Sequence, residues 1–110
     1  MGGEMDRLVA EKMGWEISNN RKYWIKDFDG STGTVVEHFN PSEDIKDAWV
    51  VVEYMREKGF HYEMSNCPHK GIMGNRCRFW DYNEFDEFIE AIGIDEIAPL
   101  AICKAFLEVE

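Results

Sequence analysis

The segment at residues 40–59, NPSEDIKDAWVVVEYMREKG, constrains the fold most strongly because its apolar side chains recur with the period of an α-helix. Asn40 is suited to cap this helix, Pro41 to its first position, and Glu43 to the third position, from which a carboxylate reaches back to the cap. Gly59 is a natural stop. The apolar stripe comprises Ile45, Ala48, Trp49, Val52 and Met55. Because a helix with one apolar stripe must cover another apolar element, the rest of the chain has to supply that element.

Two other regions have the alternation and the β-branched and aromatic content that are typical of strands. Residues 15–39 predict a short strand followed by a hairpin, with the turn at DGSTG, residues 29–33. Residues 60–65 and 76–82 predict a second hairpin, closed by a long loop that contains glycine. Strand pairs of this kind favour an antiparallel or mixed sheet.

Further helices are predicted near both ends of the chain. Residues 4–13 and 95–108 show helical spacing of apolar residues, and Pro99 falls in the first turn of the second segment. Residues 83–93 are compatible with a helix and nearly as compatible with an extended or irregular segment. The predicted core residues are Leu8, Val9, Trp15, Ile45, Trp49, Val52, Met55, Leu100, Cys103 and Phe106.

A chain of 110 residues has room for one core, so a single α+β domain over residues 1–110 is expected. Tyr23 and Trp24 are adjacent, so in a strand they point to opposite faces of the sheet. Helices on both faces would bury both rings, which favours an α-β-α sandwich in which about three helices cover a small sheet. If one face is open instead, its exposed aromatic residues mark a surface for a partner or ligand.

The charge excludes several classes of partner. The chain has 22 acidic and 12 basic residues and a net charge of −10, so it is expected to avoid nucleic-acid backbones and anionic membranes. One alternative is that this acidic surface imitates DNA and occupies a DNA-binding protein. An odd number of cysteines, 3, without a secretory signal indicates a reducing compartment, and a cytoplasmic location is expected.

The stretch CPHKGIMGNRC, residues 67–77, is the segment that most resembles a reactive or metal site. In an extended backbone Cys67 and His69 point the same way, and a hairpin could bring Cys77 opposite Cys67, which would suit zinc. A closed zinc site needs a fourth ligand, for which the candidates are His38, His61 and Cys103. The spacing departs from the usual paired pattern, so a hairpin tip is the favoured interpretation and no metal or other cofactor is predicted.

Three blocks of the sequence, LVAEKMGW, PSEDIKDAWVVVEYMREKGF and APLAICKAFLEV, occur in an order that resembles the phage ABA-sandwich domain family. The resemblance implies an α-β-α sandwich and a protein of a bacteriophage or prophage that acts in the cytoplasm of its bacterial host. It implies no catalytic residues that can be carried over to this chain.

The sequence contains no phosphate-binding loop, nucleophile elbow or other catalytic motif, so the chain is not expected to be an enzyme. The favoured hypothesis is a phage accessory protein that works by binding a host protein or by sequestering a small molecule. The alternatives are a small zinc-binding domain that uses Cys67, His69 and Cys77, and an acidic DNA mimic. The sequence does not indicate an oligomeric state.

Overall fold

The computed structural model describes residues 3–27, 30 and 32–109, with the exception of the side chain of His69. These residues form three helices and two three-stranded antiparallel sheets, which confirms the α+β class. The elements are α1 (Glu4–Lys12), β1 (Glu16–Ile17), β2 (Trp24–Lys26), β3 (Thr34–Val36), α2 (Ile45–Glu57), β4 (His61–His69), β5 (Ile72–Tyr82), β6 (Phe88–Asp95) and α3 (Ala98–Glu108). The sheets have the orders β1-β2-β3 and β4-β5-β6. The turn predicted at residues 29–33 includes two positions, 29 and 31, that lie outside the described residues.

The second hairpin has a much shorter connection than the sequence predicts. Lys70 and Gly71 form a two-residue turn with φ values of 53° and 83°, the pattern of a type I′ turn, and the ladder begins at once with His69 opposite Ile72. The predicted loop of residues 67–77 is therefore wrong. Gly71 lies in this turn, whereas Gly74 and Asn75, which also suggested a loop, lie within strand β5, where Gly74 faces Cys67 across the ladder.

Residues 83–93 do not form a helix. The Asn83 side chain accepts hydrogen bonds from the backbone N–H groups of Phe85 and Glu87, at 2.9 and 3.0 Å, which closes a turn before β6. From Phe88 onward the chain pairs antiparallel with β5. Phe88 and Ile92 match a helical repeat of four and also a strand repeat of two, so the pattern alone did not separate the two structures.

Helix α2 begins later than the sequence predicts. Its N-cap is Asp44, whose Oδ1 accepts the backbone N–H of Lys46 at 2.8 Å, whereas Asn40 belongs to a preceding turn. The buried stripe comprises Ala48, Val51, Val52 and Met55.

Helix α3 packs directly on the second sheet. A Cβ atom at Gly93 of β6 would lie only 2.2 Å from the carbonyl oxygen of Ala101 and 2.4 Å from the backbone nitrogen of Ala105. The helix backbone therefore touches the strand backbone, and small residues on both sides make this approach possible. Helix α2 packs on the same side, where Trp49 meets Tyr62 edge to face with 5.8 Å between ring centroids.

The core is formed by the predicted helices and strands, but the buried faces of α1 and α2 differ from the predicted ones. Val9, Val52, Met55, Cys103 and Phe106 are buried, and Trp15 and Leu100 are partly buried. Three predicted core residues are instead exposed: Leu8 at 41%, Ile45 at 42% and Trp49 at 40%.

The physical reason is clearest in α1, where the buried face includes a charged residue. Asp6 is only 3% exposed, and its Oδ1 accepts the backbone N–H of Ser42 at 2.8 Å. This hydrogen bond compensates for the loss of water around the carboxylate and ties the first helix to the segment before α2. An inward-facing Asp6 turns Leu8 toward solvent.

No helix among the described residues is long and apolar enough to cross a membrane.

Candidate functional site

The β4-β5-β6 sheet has two unlike faces. Alternate residues point to opposite sides of a strand, and the registers of both ladders run without interruption, so the membership of each face follows from the pairing. The covered face lies under α2 and α3 and contributes Cys77, Phe79, Ala91 and Gly93. The opposite side, here called the open face, comprises His61, Glu63, Ser65 and Cys67 of β4, Arg76, Arg78, Trp80 and Tyr82 of β5, and Phe88, Glu90, Ile92 and Ile94 of β6.

Arg78 is the centre of a stack of rings on the open face. Its guanidinium carbon lies 4.3 Å from the Trp80 ring centroid and 5.8 Å from that of Phe88. Trp80 in turn stacks on His61, with 5.5 Å between centroids and 28° between the planes. The guanidinium also forms an ion pair with Glu90. Because rings and a carboxylate hold it from several sides, its planar donor array is fixed before any partner arrives.

Arg76 has spare hydrogen-bonding capacity. It forms an ion pair with Glu63, with 3.6 Å between nitrogen and oxygen, but its Nε is shielded from water and finds no hydrogen-bond partner among the described residues. A buried donor without a partner costs free energy, and an arriving acceptor would recover it.

Apolar side chains surround these charges. The exposed fractions are 60% for Tyr82, 49% for Phe88, 39% for Ile92 and 36% for Ile94. Tyr82 and Phe88 lie opposite each other at one end of the β5–β6 ladder, and Ile92 and Ile94 lie farther along β6, opposite Arg78 and Arg76, with Glu90 between the two groups. Exposed apolar side chains that flank tryptophan and arginine residues have the composition of the most strongly binding parts of protein interfaces.

Two concavities among the described residues exclude Arg78, Trp80 and His61, although the first includes Phe88 and Glu90 at its wall. One of about 330 Å³ opens between Phe60, the first half of β6 and the end of α3. Another, of about 380 Å³, lies between α2 and β2. The open face itself is a broad sheet surface, whereas small-molecule sites are concave and enclose most of their ligand.

The proposed zinc ligands do not converge. Cys77 lies opposite Met64, not opposite Cys67, so the hypothesis that the hairpin brings the two thiols together is wrong. An odd number of positions separates Met64 from Cys67, so the two thiols lie on opposite faces of the sheet. The His69 side chain lies outside the described part of the structure. Among the described side chains no group of three or more suitable ligands is positioned to hold a metal ion.

The two buried thiols have the properties of core residues. Loss of water on burial raises the pKa of Cys77 to about 12. Burial also raises the pKa of Cys103 to about 12, with smaller contributions from the negative charge of Asp6 and from Cys77. Both are therefore neutral thiols at physiological pH, without the thiolate character that nucleophilic or redox cysteines need.

Most of the open-face cluster was missed by the sequence analysis, although a signal was present. The stretch RCRFWDY alternates Arg76, Arg78, Trp80 and Tyr82 with Cys77, Phe79 and Asp81. Once this stretch is assigned to a strand, the arginine-aromatic face is explicit. Helices were expected on both sides, however, so an open face was the less favoured interpretation.

Comparison with known proteins identifies the family to which the chain belongs. The profile of the phage ABA sandwich domain matches residues 7–107, which is nearly the whole chain. No curated protein matches the sequence. The match includes all six strands, helix α2 and most of helices α1 and α3, and the name of the family indicates a phage protein. The chain therefore belongs to the phage ABA sandwich domain family.

Proposed function

We propose that this chain is a non-catalytic phage accessory protein that binds a host protein through its open face, in the cytoplasm of the bacterial host. The observation that carries the proposal is the ring stack around Arg78, set among exposed apolar side chains on the side of the sheet opposite α2 and α3. Tryptophan, tyrosine and arginine are enriched among the interface residues that contribute most to the free energy of binding, and the ordered array around Arg78 supports an interface for that reason.

The shape of the surface favours a protein partner over a small molecule. A flat three-stranded face offers contact along its whole length, but it does not enclose a ligand. Its four ionic side chains, Arg76, Arg78, Glu63 and Glu90, cancel in charge. This arrangement differs from the uniform negative array that a DNA mimic would present.

Site-specific crosslinking in host cells tests the proposal. A photoreactive amino acid at Ile92 should crosslink one host protein, and the same amino acid at Val35, an exposed residue of the other sheet, should not. Trp80→Ala should abolish the Ile92 crosslink. Trp49→Ala is the matched control, because Trp49 is an exposed tryptophan on the helical side of the molecule.

Retention of the crosslink in Trp80→Ala, or its loss in Trp49→Ala alone, would contradict binding through the open face. Circular dichroism of both variants separates loss of binding from loss of folding.

A further inference from the structure

The outer edge of β6 lacks most of the devices that protect sheet edges. Strand β6 pairs with β5 on one side only, in a regular register from Phe88 to Asp95 without a bulge. Its sequence, FIEAIGID, contains no lysine and no proline. Strand β4, at the other edge, carries Pro68. Exposed, regular, apolar edges are templates for an added strand, and proteins usually block them with lysine, proline or a bulge.

Among the described residues, only one end of the β6 edge is capped by a side chain. Lys104 of α3 donates from Nζ to the carbonyl oxygen of Ile94 at 3.4 Å and to Oδ2 of Asp95 at 2.6 Å. Within the described residues this lysine covers only the C-terminal end of the strand. In the described structure the stretch from Phe88 to Ile92 has no main-chain partner on its outer side, whereas Gly93 lies against the backbone of α3.

A cavity lies beside the free stretch. Its volume is about 330 Å³, and its walls are residues 88–91 of β6, Phe60, and Glu108 and Val109 at the end of α3. Added strands gain affinity from main-chain hydrogen bonds and specificity from pockets that receive alternate side chains. This cavity is in the position of such a pocket, and Glu108 at its rim favours a cationic side chain.

The negative charge around the β6 edge favours a basic partner segment. Residues 79–103 contain no lysine or arginine, and the acidic residues among them are Asp81, Glu84, Asp86, Glu87, Glu90, Asp95 and Glu96. Pairing of β6 with β6 of a second copy would bring two such segments together, and like charges at close range oppose it. A basic segment would meet attraction along the same path.

We propose that the edge of β6 accepts an extended segment of a protein partner, with lysine or arginine alternating with apolar residues, as a fourth strand of the sheet. One of its side chains enters the cavity beside Ile89. This inference rests on the proposed function, because it specifies how the partner that covers the open face extends beyond it.

Synthetic peptides test the edge without a known partner. The probe is a ten-residue peptide of alternating lysine and valine. One control alternates glutamate and valine, and a second keeps the lysines but carries N-methyl groups on alternate backbone nitrogens. At a peptide concentration ten times Kd, outward-pointing amides between Phe88 and Gly93 should exchange about tenfold more slowly, by mass action. Both controls should leave these amides unprotected.

Equal binding of the lysine peptide and its N-methylated form would overturn the proposal, because the contact would then be one of charge alone. Protection confined to another part of the chain, or no binding of the lysine peptide, would also overturn it. A dimer that the peptide dissociates, seen by native mass spectrometry, would assign the edge to a second copy instead.

Two variants separate this proposal from the proposed function. Glu84→Gln with Glu87→Gln should weaken lysine-peptide binding several-fold, whereas Trp80→Ala should leave it nearly unchanged while it abolishes the host crosslink. If Trp80→Ala keeps the crosslink but the peptide still protects β6, the open-face proposal fails and the edge proposal stands. If the crosslink behaves as expected and the peptide does not bind, only the edge proposal fails.

Discussion

The two faces of the β4-β5-β6 sheet are made by the same three strands and have opposite environments. On the covered face Cys77 and Phe79 are fully buried, and Gly93 admits the backbone of α3. On the open face Arg78 and Trp80, their direct neighbours in sequence, form an ordered stack in contact with water. Strand alternation thus places core and surface residues next to each other in the sequence, so adjacent residues can be changed with different consequences.

The largest contrast is expected in cysteine chemistry. A thiol with a pKa of about 12 is ionised in only about one molecule in ten thousand at pH 8, and burial excludes the reagent as well. We expect iodoacetamide to modify Cys77 and Cys103 at least about a thousandfold more slowly in the folded protein than in urea. Cys67, half-buried on the open face, should react in the folded state. Peptide mass spectrometry after timed labelling measures all three rates, and rapid labelling of Cys77 would contradict the assignment of faces.

Removal of a large covered side chain should cost the most stability. Phe79→Ala should lower the free energy of unfolding by about 3–5 kcal/mol, because it removes a buried ring and leaves a cavity. The neighbouring Trp80→Ala should cost less, about 1–2 kcal/mol, because Trp80 is only partly buried and its loss removes stacking on Arg78 and His61. Urea denaturation followed by far-ultraviolet circular dichroism measures both. Similar losses for the two variants would mean that the open face also belongs to the core.

A smaller loss is expected where α3 touches β6. Gly93→Ala places a methyl group against Ala101 and Ala105 and should destabilise the protein by about 1–3 kcal/mol, because the helix has to move away. Ile92→Ala, one residue earlier on the open face, is the control and should cost less. A Gly93→Ala variant as stable as the wild type would show that α3 can shift without loss.

The smallest effect on stability is expected for Arg78→Ala. Its ion pair with Glu90 and its stacking on Trp80 lie at the surface, so the loss should be under about 1 kcal/mol. The same change should weaken partner binding by about 2 kcal/mol or more if the open face is the interface. Thermal denaturation and titration against the crosslinked host protein give the two values. A variant that loses stability but not affinity would reverse the roles of the two faces.

Local patterns predicted the position of every helix and most strands, but not their environment. Helical spacing located α2, but it placed Trp49 in the buried stripe where the structure has Val51. An apolar stripe is more than 100° wide, so the spacing alone does not determine which flanking residue is buried. Turn residues located the second hairpin but overestimated its loop, since Lys70 at a positive φ is not a typical turn signal. Short apolar segments such as residues 83–93 satisfy helix and strand periods at once.

The candidate site was harder to predict than the fold. Residues 67–77 contain the chemically reactive side chains of Cys67 and Cys77, but reactivity does not determine which side of a sheet each residue occupies. The register places Cys67 and Cys77 on different faces, and a shift of one residue would have reversed that result. Arg78 and Trp80 were visible as residues, but their exposure depends on where α2 and α3 pack.

The sequence by itself determined the secondary-structure periods, the acidic charge and the family of this protein, because these are properties of neighbouring residues and of composition. Only the tertiary structure decided which face of the second sheet is covered, which helix residues are buried, and which strand edge is left unpaired. Those outcomes depend on contacts between segments far apart in the chain. The close approach of α3 to Gly93 is one such contact: it places the helix on one face of the sheet, opposite the face that carries Arg78 and Trp80.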